Sequence, residues 1–263
     1  MPLIRLGDVT LHYEARGRAG GTPIVLLHGL GSSSADWTLQ LPVLAARHRV
    51  LAPDLRAHGQ SSRPRGRLTI DRMAGDVAAL LAALDAPPAH VVGLSLGGCV
   101  ALVLALDHPA RVRSLTLVNT FARLVPAGPR GALRMLARLD LLACAPMRVV
   151  AAHVARGLFP RVGQRELYLA AVARLASNPR RTYLACIRAL AGFDARRRLA
   201  EVRCPTLVVA GDRDTTVPLA AKRMLQRSIP GAQLLLVEDS GHATPCDQAE
   251  RFTAALLVFV ESH

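Results

Sequence analysis

Residues 90–98 read His-Val-Val-Gly-Leu-Ser-Leu-Gly-Gly, and this is the sharpest local signal in the chain. The apolar run His90–Leu94 is typical of a buried strand, and the apolar stretch Leu96–Leu106 is typical of a helix. Between them, Gly93 to Gly98 fit the pattern G-x-S-x-G. The glycines allow a sharp turn, which would hold the hydroxyl of Ser95 at the end of a strand and the start of a helix. Ser95 is therefore a candidate nucleophile.

Short apolar runs alternate with helical patterns on both sides of this turn, which is typical of βα units and a mostly parallel sheet. The first two predicted strands form an antiparallel pair. Between the sixth and seventh strands the alternation stops, because residues 121–203 have helical character without a convincing strand. The eight predicted strands are Pro2–Leu6, Val9–Ala15, Pro23–Leu27, Arg49–Ala52, His90–Leu94, Ser114–Val118, Thr206–Ala210 and Gln233–Val237.

The formal charge of +14 rests on arginine, since Lys222 is the only lysine among the 33 basic residues of the 263-residue chain. A nucleic-acid-binding surface would combine clustered basic residues with aromatic side chains. Aromatic residues make up only 3% of this chain. We therefore expect no nucleic-acid partner and interpret the arginines as a compositional bias, whose general field would favour anionic substrates.

The cysteines and apolar stretches indicate the compartment. The five cysteines are widely spaced and form no C-x-x-C pair, so we expect free thiols rather than disulfides or a zinc site. No uninterrupted apolar stretch is long enough to span a bilayer, and the N-terminal residues lack the pattern of a secretory signal. We expect a cytoplasmic protein without membrane contact, and the sequence leaves open whether it is a monomer or a homodimer.

A serine hydroxyl needs a base to remove its proton, and nine histidines compete for that role. At this kind of strand–turn–helix the order along the chain is Ser, then Asp or Glu, then His. His242, just after the last predicted strand, satisfies that order. His263 also does, but it is the C-terminal residue, where chains tend to fray. His242 is the predicted general base.

The acid must lie between this serine and this histidine, on a loop that follows a strand. Asp212 and Asp214 both follow the strand Thr206–Ala210. We predict Asp214, because it lies further into the loop and can reach across it, whereas Asp212 suits local turn capping. Asn119, after the preceding strand, is rejected because a neutral amide cannot stabilise an imidazolium.

Acyl transfer at such a serine also needs two backbone N–H groups for the oxyanion of the tetrahedral intermediate. The N–H of Leu96, next to the serine, is one predicted donor. The second is Leu30 in the loop His28-Gly29-Leu30-Gly31-Ser32-Ser33, whose glycines let the backbone curl toward the site. We interpret His28 as a structural hydrogen-bonding residue rather than a base.

Five motifs appear in the order seen in α/β-hydrolases: residues 28–33, Asp54-Leu55-Arg56-Ala57-His58-Gly59-Gln60-Ser61, Gly93–Gly98, Gly211–Pro218 and Ser240–His242. The chain thus resembles this family over nearly its whole length apart from the helical segment. The match looks closest to the branch that holds small carboxylesterases, 3-oxoadipate enol-lactonases, cofactor-free haloperoxidases and carbon–carbon bond hydrolases. Ala57 departs from the family, which usually has glycine at this structural position.

The resemblance implies a mostly parallel eight-stranded α/β-hydrolase sheet flanked by helices. Residues 1–120 and 204–263 would form the core, and residues 121–203 a helical cap inserted between strands 6 and 7. It also implies the Ser95–Asp214–His242 triad derived above, the same oxyanion donors, and no metal or other cofactor.

The apolar positions of the helical segment favour an apolar or weakly polar substrate, although most of them must pack inside that segment. Trp37, the only tryptophan, is interpreted as core packing or as a pocket wall. The apolar positions are Met135, Leu139, Met147, Val150, Leu158 and Phe159.

We predict a carboxylesterase acting on small-molecule esters of small to medium size. The first alternative is a specialised hydrolase with the same triad, namely an enol-lactonase, a thioesterase or a carbon–carbon bond hydrolase. The second is a non-catalytic binding protein, against which a complete Ser–Asp–His set argues.

Overall fold

A computed structural model describes residues 2–18, 21–63, 66–126 and 128–263. Its centre is one eight-stranded sheet. The strands are β1 Leu3–Leu6, β2 Val9–Arg16, β3 Ile24–Leu27, β4 Val50–Pro53, β5 Ala89–Leu94, β6 Val112–Val118, β7 Thr206–Gly211 and β8 Gln233–Val237.

The strands lie in the order β1-β2-β4-β3-β5-β6-β7-β8. β2 pairs antiparallel with β1 and with β4, and every other pairing is parallel. All residues of the central strands β3 and β5 are buried, as expected for parallel strands covered on both faces. The predicted mostly parallel, eight-stranded α/β sheet is therefore confirmed.

Helices cover both faces of the sheet. α2, α3 and α8 pack on one face, and α1 and α10 on the other. The α-helices are α1 Leu41–Ala45, α2 Ile70–Ala83, α3 Leu96–Asp107, α4 Gly128–Cys144, α5 Met147–Leu158, α6 Arg165–Ala176, α7 Arg180–Ala191, α8 Leu219–Ser228, α9 Thr244–Asp247 and α10 Ala249–Glu261. Short 3-10 helices span Ser34–Trp37, Pro109–Arg111, Val162–Gln164 and Arg196–Glu201.

The sequence after the β3 loop predicts one helix that starts near Ser34 and runs toward Ala46, but the chain forms two short helices there. A 3-10 helix ends at Trp37 and α1 begins at Leu41, with Pro42 in its first turn. Proline has no N–H to continue a preceding helix but suits the first turn of a new one. The break at this proline therefore follows from its backbone chemistry.

All the elements described between β6 and β7 are helical, and α4 to α7 lie there. They share a small core of their own that includes Leu142, Val150, Leu175 and Tyr183. We name residues 121–203 the helical insertion. That the helical insertion is a cap, separate from a core of residues 1–120 and 204–263, stays a prediction. Among the described helices, none combines the length and apolar character that crossing a bilayer requires.

Ala57 adopts a φ of 68°, in the left-handed region that favours glycine. This backbone conformation explains why a glycine would suit the position. Alanine at such a φ costs about 1–2 kcal/mol.

Candidate active site

Ser95 occupies the turn between β5 and α3, and its backbone is strained. Its φ of 53° and ψ of −109° lie outside the regions that residues other than glycine favour. The Ser95 N–H donates to Val118 O at 2.9 Å, and Ser95 O accepts the Thr120 hydroxyl at 2.7 Å. These bonds to the end of β6 and its following loop hold the strained turn in place.

Three positions beside this turn require glycine, because other parts of the same chain lie too close to leave room for a Cβ atom. A Cβ at Gly97 would overlap Leu27 O, and a Cβ at Gly93 would overlap the Gly97 carbonyl. A Cβ at Gly98 would lie only 2.5 Å from the Cβ of Thr120. The G-x-S-x-G pattern is thus a packing requirement as well as a conformational one.

Asp214 and His242 lie on the loops that follow β7 and β8, and they form a hydrogen-bonded pair. Asp214 Oδ2 accepts His242 Nδ1–H at 3.0 Å, and the Asp214 side chain is 0% exposed. The same oxygen accepts Lys222 Nζ at 2.8 Å, while Oδ1 accepts the N–H groups of Thr216 at 2.8 Å and Val217 at 3.1 Å. Four donors therefore surround this buried carboxylate.

These donors decide the charge of Asp214. Burial by itself raises the pKa of the Asp214 carboxyl, but the charges and hydrogen bonds of His242 and Lys222 outweigh burial and hold that pKa well below its ordinary value. An ionised Asp214 orients the imidazole of His242 with Nδ1 as donor, which makes Nε2 the nitrogen that can accept a proton.

Ser95 and His242 both line one cavity, whose volume is about 460 Å³. Among the described residues, their two side chains share no hydrogen bond in this conformation. Such bonds are often long in unliganded sites and tighten when substrate binds. The structure thus places a hydroxyl and a carboxylate-oriented imidazole on the wall of the same cavity.

Asp212 and Asn119, the other residues considered for the acid, contact the His242 loop in other ways. Asp212 Oδ1 accepts the Ser240 N–H at 3.1 Å. Asn119 is fully buried; its Nδ2 donates to His242 O at 2.9 Å and its Oδ1 accepts the Gly211 N–H at 2.9 Å. Asn119 therefore ties the end of β7 to the His242 loop, a positioning role that the sequence interpretation missed. The available signal was an amide directly after a predicted strand.

The loop after β3 places Leu30 on the cavity wall, with the following Gly31 at a φ of 72°. Within the described part of the chain, the Leu30 N–H donates no hydrogen bond to another backbone group. The Leu96 N–H lies in the first turn of α3, where such groups have no partner within the helix. Asp36 steadies the loop, because its Oδ2 accepts the Gly29 N–H at 3.1 Å. The oxyanion roles of the two leucine N–H groups stay predictions.

His28 is buried between two backbone groups. Its Nδ1 donates to Gly29 O at 2.8 Å, and its Nε2 accepts the Leu55 N–H at 3.0 Å. Burial lowers the pKa of the His28 imidazole. A neutral His28 with both ring nitrogens occupied bridges two loops, which agrees with its structural interpretation.

Trp37 does not line the cavity, so the pocket-wall interpretation of this residue is wrong. Its side chain is fully buried on the opposite side of the loop, in the core between the sheet and α10, with its ring centroid 6.2 Å from that of Phe252. Successive residues of a 3-10 helix point about 120° apart. The preceding residue, Asp36, therefore faces the cavity while Trp37 faces the sheet.

The structure sorts the apolar residues of the helical insertion into two groups. One group lines the cavity and the other packs into the insertion's own core. The first group is Met135, Leu139, Leu158 and Phe159, and the second is Met147 and Val150.

The described side chains offer no metal site of the ordinary kind. Within the described ranges, no group of three or more His, Cys, Asp or Glu residues is placed to hold an ion.

Known proteins resemble this chain both in sequence and in structure. A family model described as alpha/beta hydrolase fold matches residues 22–247. The RutD protein of Azorhizobium caulinodans, named as a carbamate hydrolase, is 35% identical over 98% of this chain and 98% of that protein. The 3-oxoadipate enol-lactonase 1 of Acinetobacter baylyi is 30% identical over 96% of this chain and 94% of that protein. The solved structure of a thermophilic esterase from Thermogutta terrifontis superimposes with a TM-score of 0.82 at 29% identity, covering 97% of this chain and 94% of that one.

Proposed function

Because the chain belongs to the α/β-hydrolase family and is a hydrolase, we propose that it cleaves carboxylic esters with small to medium apolar acyl or alcohol groups. One observation carries the proposal. Ser95 and His242 share the wall of a cavity of about 460 Å³, and His242 is bonded to the buried Asp214 at 3.0 Å. A hydroxyl and an oriented base facing one cavity are what acyl transfer through a serine requires.

In the proposed mechanism, Ser95 Oγ attacks the ester carbonyl carbon while its proton passes to His242 Nε2. The negative charge that develops on the carbonyl oxygen is held by the N–H groups of Leu30 and Leu96. The alcohol leaves with the proton from His242, and an acyl-enzyme ester remains on Ser95. Water then attacks this ester by the same route, releasing the carboxylic acid and restoring the serine.

The walls of the cavity support an apolar substrate. Most lining side chains are aliphatic or aromatic, and they come from both the sheet loops and the helical insertion. Apolar pockets of this volume enclose ligands of small to medium size. Representative lining residues are Leu94, Phe121, Leu124, Val154 and Leu158.

We expect Gly97→Ala to lower kcat/KM for p-nitrophenyl butyrate at least a hundredfold. A Cβ at this position overlaps Leu27 O, so the turn that carries Ser95 must move, and a displacement of about 1 Å costs about a hundredfold in rate. The matched control is Gly75→Ala in α2, where an added Cβ meets nothing within 4 Å. The control should keep its activity and gain about 0.5–1 kcal/mol in the free energy of unfolding. Wild-type activity in Gly97→Ala would contradict the packing requirement.

A second candidate function is favoured by the charges on the cavity wall. Arg174 is paired with Asp36 at 2.7 Å, which neutralises it. Arg134 and Arg138 also line the cavity, and neither has a carboxylate partner among the described residues. Arg138 lies 4.9 Å over the Tyr183 ring and donates to its hydroxyl. These two guanidinium groups suit a lactone or carbamate substrate that carries its own carboxylate, cleaved by the same triad.

An ester pair separates the two candidates. We expect Arg138→Gln to lower kcat/KM for a p-nitrophenyl hemisuccinate about tenfold, while kcat/KM for the neutral butyrate changes less than threefold, because only the anionic acyl group loses a charge partner. Arg130→Gln, on the same helix but away from the cavity lining, is the matched control. Equal losses on both esters would reject the anionic candidate. A lactone and a thioester belong in the same panel.

A further inference from the structure

Lys222 is the only lysine among 33 basic residues, and its side chain is 0% exposed. Lysine side chains are almost never fully buried unless they are paired. The remaining basic residues are arginines. Because every other basic residue is an arginine, the burial of this one ammonium group indicates a specific role for Lys222.

The partner of Lys222 is the carboxylate of the proposed triad. Lys222 lies on α8, eight residues after Asp214, and Nζ donates to Asp214 Oδ2 at 2.8 Å. That oxygen also accepts His242 Nδ1–H at 3.0 Å. Lysine and histidine therefore share one buried oxygen atom, and their charges lie within a few ångströms of each other.

We propose that Lys222 is a positioning residue of the triad, which fixes Asp214 Oδ2 for His242 and extends the reaction of Ser95 to lower pH. This inference rests on the proposed serine-hydrolase function. Lys222 contacts neither the cavity nor the reacting atoms, so it acts only through Asp214.

The sign of the effect follows from the charges. An unshared carboxylate beside an imidazole stabilises the protonated ring, and so raises the pH at which the ring gives up its proton. An ammonium group on the same oxygen offsets much of that negative charge and also repels an imidazolium. With Lys222 in place, the reaction of Ser95 should therefore extend to lower pH than it would with Asp214 alone beside the imidazole.

Other charged groups near the triad have their own partners. Asp247 accepts the Gly241 N–H at 2.6 Å, and burial raises the pKa of its carboxyl. Asp212 accepts the Ser240 N–H at 3.1 Å. In the described part of the chain, Asp214 is the only charged group that contacts Lys222 Nζ.

Two more sets of charges complete the surroundings. On the cavity wall, Asp36 is paired with Arg174 at 2.7 Å. The 3-10 helix that packs against α8 carries Arg198, which bonds Glu201 at 3.1 Å. On α8 itself Arg223 is exposed, and Glu238 follows β8 at the next strand end. Removing Lys222 therefore changes the one charge that is bonded to the triad carboxylate.

The kinetic test measures the rate at which a fluorophosphonate labels Ser95 as a function of pH. In this reaction Ser95 Oγ displaces fluoride from phosphorus and its proton passes to His242, so no natural substrate is needed. We expect Lys222→Met to move the acid limb of the labelling rate to higher pH by about one unit. Arg223→Met, which removes one charge from the exposed face of the same helix, should leave the limb in place. A folded Lys222→Met protein whose limb moves by less than about 0.2 unit would overturn the proposal.

A second measurement needs no Lys222 variant. Protein labelled with ¹³C at lysine Cε has a single labelled side chain, so its NMR spectrum reports Lys222 alone. We expect this signal to shift with a midpoint at the pH of the acid limb, and His242→Ala to abolish that step. A signal that is unchanged across the limb would reject the coupling, even if Lys222→Met does not fold.

The outcomes separate this inference from the proposed function. If the wild-type protein is not labelled at Ser95, the serine-hydrolase proposal fails. If it is labelled but the limb and the lysine signal are independent of each other, only the role of Lys222 fails.

Discussion

Ser95→Ala is expected to lower kcat/KM for p-nitrophenyl esters at least a thousandfold, because removing the proposed nucleophile leaves only substrate binding and the proposed oxyanion donors. Fluorophosphonate labelling should disappear in the same variant. Both are measured against wild-type protein at equal concentration. Residual activity above about a thousandth of wild type would assign the nucleophile to another residue.

Ser95→Gly is the matched companion of this variant. It removes the same hydroxyl, but glycine adopts a φ of 53° without the strain that a Cβ causes. We expect both variants to be equally inactive. Urea unfolding should give Ser95→Gly a free energy of unfolding about 1 kcal/mol higher than that of Ser95→Ala. Equal loss of activity at different stabilities would show that the hydroxyl, and not the fold, carries the reaction.

Asp214→Asn is expected to lower kcat about a thousand- to ten-thousandfold. The asparagine amide has no negative charge with which to stabilise the imidazolium, and it can favour the wrong tautomer of the His242 imidazole. Because Lys222 would then face a neutral group while buried, we also expect a loss of stability, which thermal unfolding measures. The kinetic effect should persist at temperatures well below the unfolding midpoint of the variant.

Asp212→Asn is the matched control, two residues away on the same loop. Asp212 uses one oxygen to accept the Ser240 N–H at 3.1 Å, and an asparagine oxygen can accept the same bond. We expect kcat within about fivefold of wild type, since a neutral hydrogen bond contributes only about 1 kcal/mol. A larger loss in Asp212→Asn than in Asp214→Asn would move the acid to position 212.

Local pattern was enough for most of the architecture. The predicted bounds of β8 agree with the structure, as does the junction of β5 and α3 around Ser95. Apolar periodicity and glycine positions involve residues near each other in the chain, and secondary structure responds to them directly. The single helix predicted across Pro42 is wrong, because a proline cannot continue the helix that precedes it.

Local sequence patterns therefore predict the α/β sheet, the strained serine turn, and the order in which the serine, acid and histidine candidates follow one another. Which side chains meet across long separations in the chain depends on how the helices and strands pack together. Asn119 reaches the backbone of His242, 123 residues away, and Trp37 packs on the core rather than on the cavity. The burial of Lys222 against Asp214 depends on which face of α8 meets the sheet. Packing between helices and strands determines which side chains are buried and which charges pair. Residues that are neighbours in the sequence do not indicate that packing.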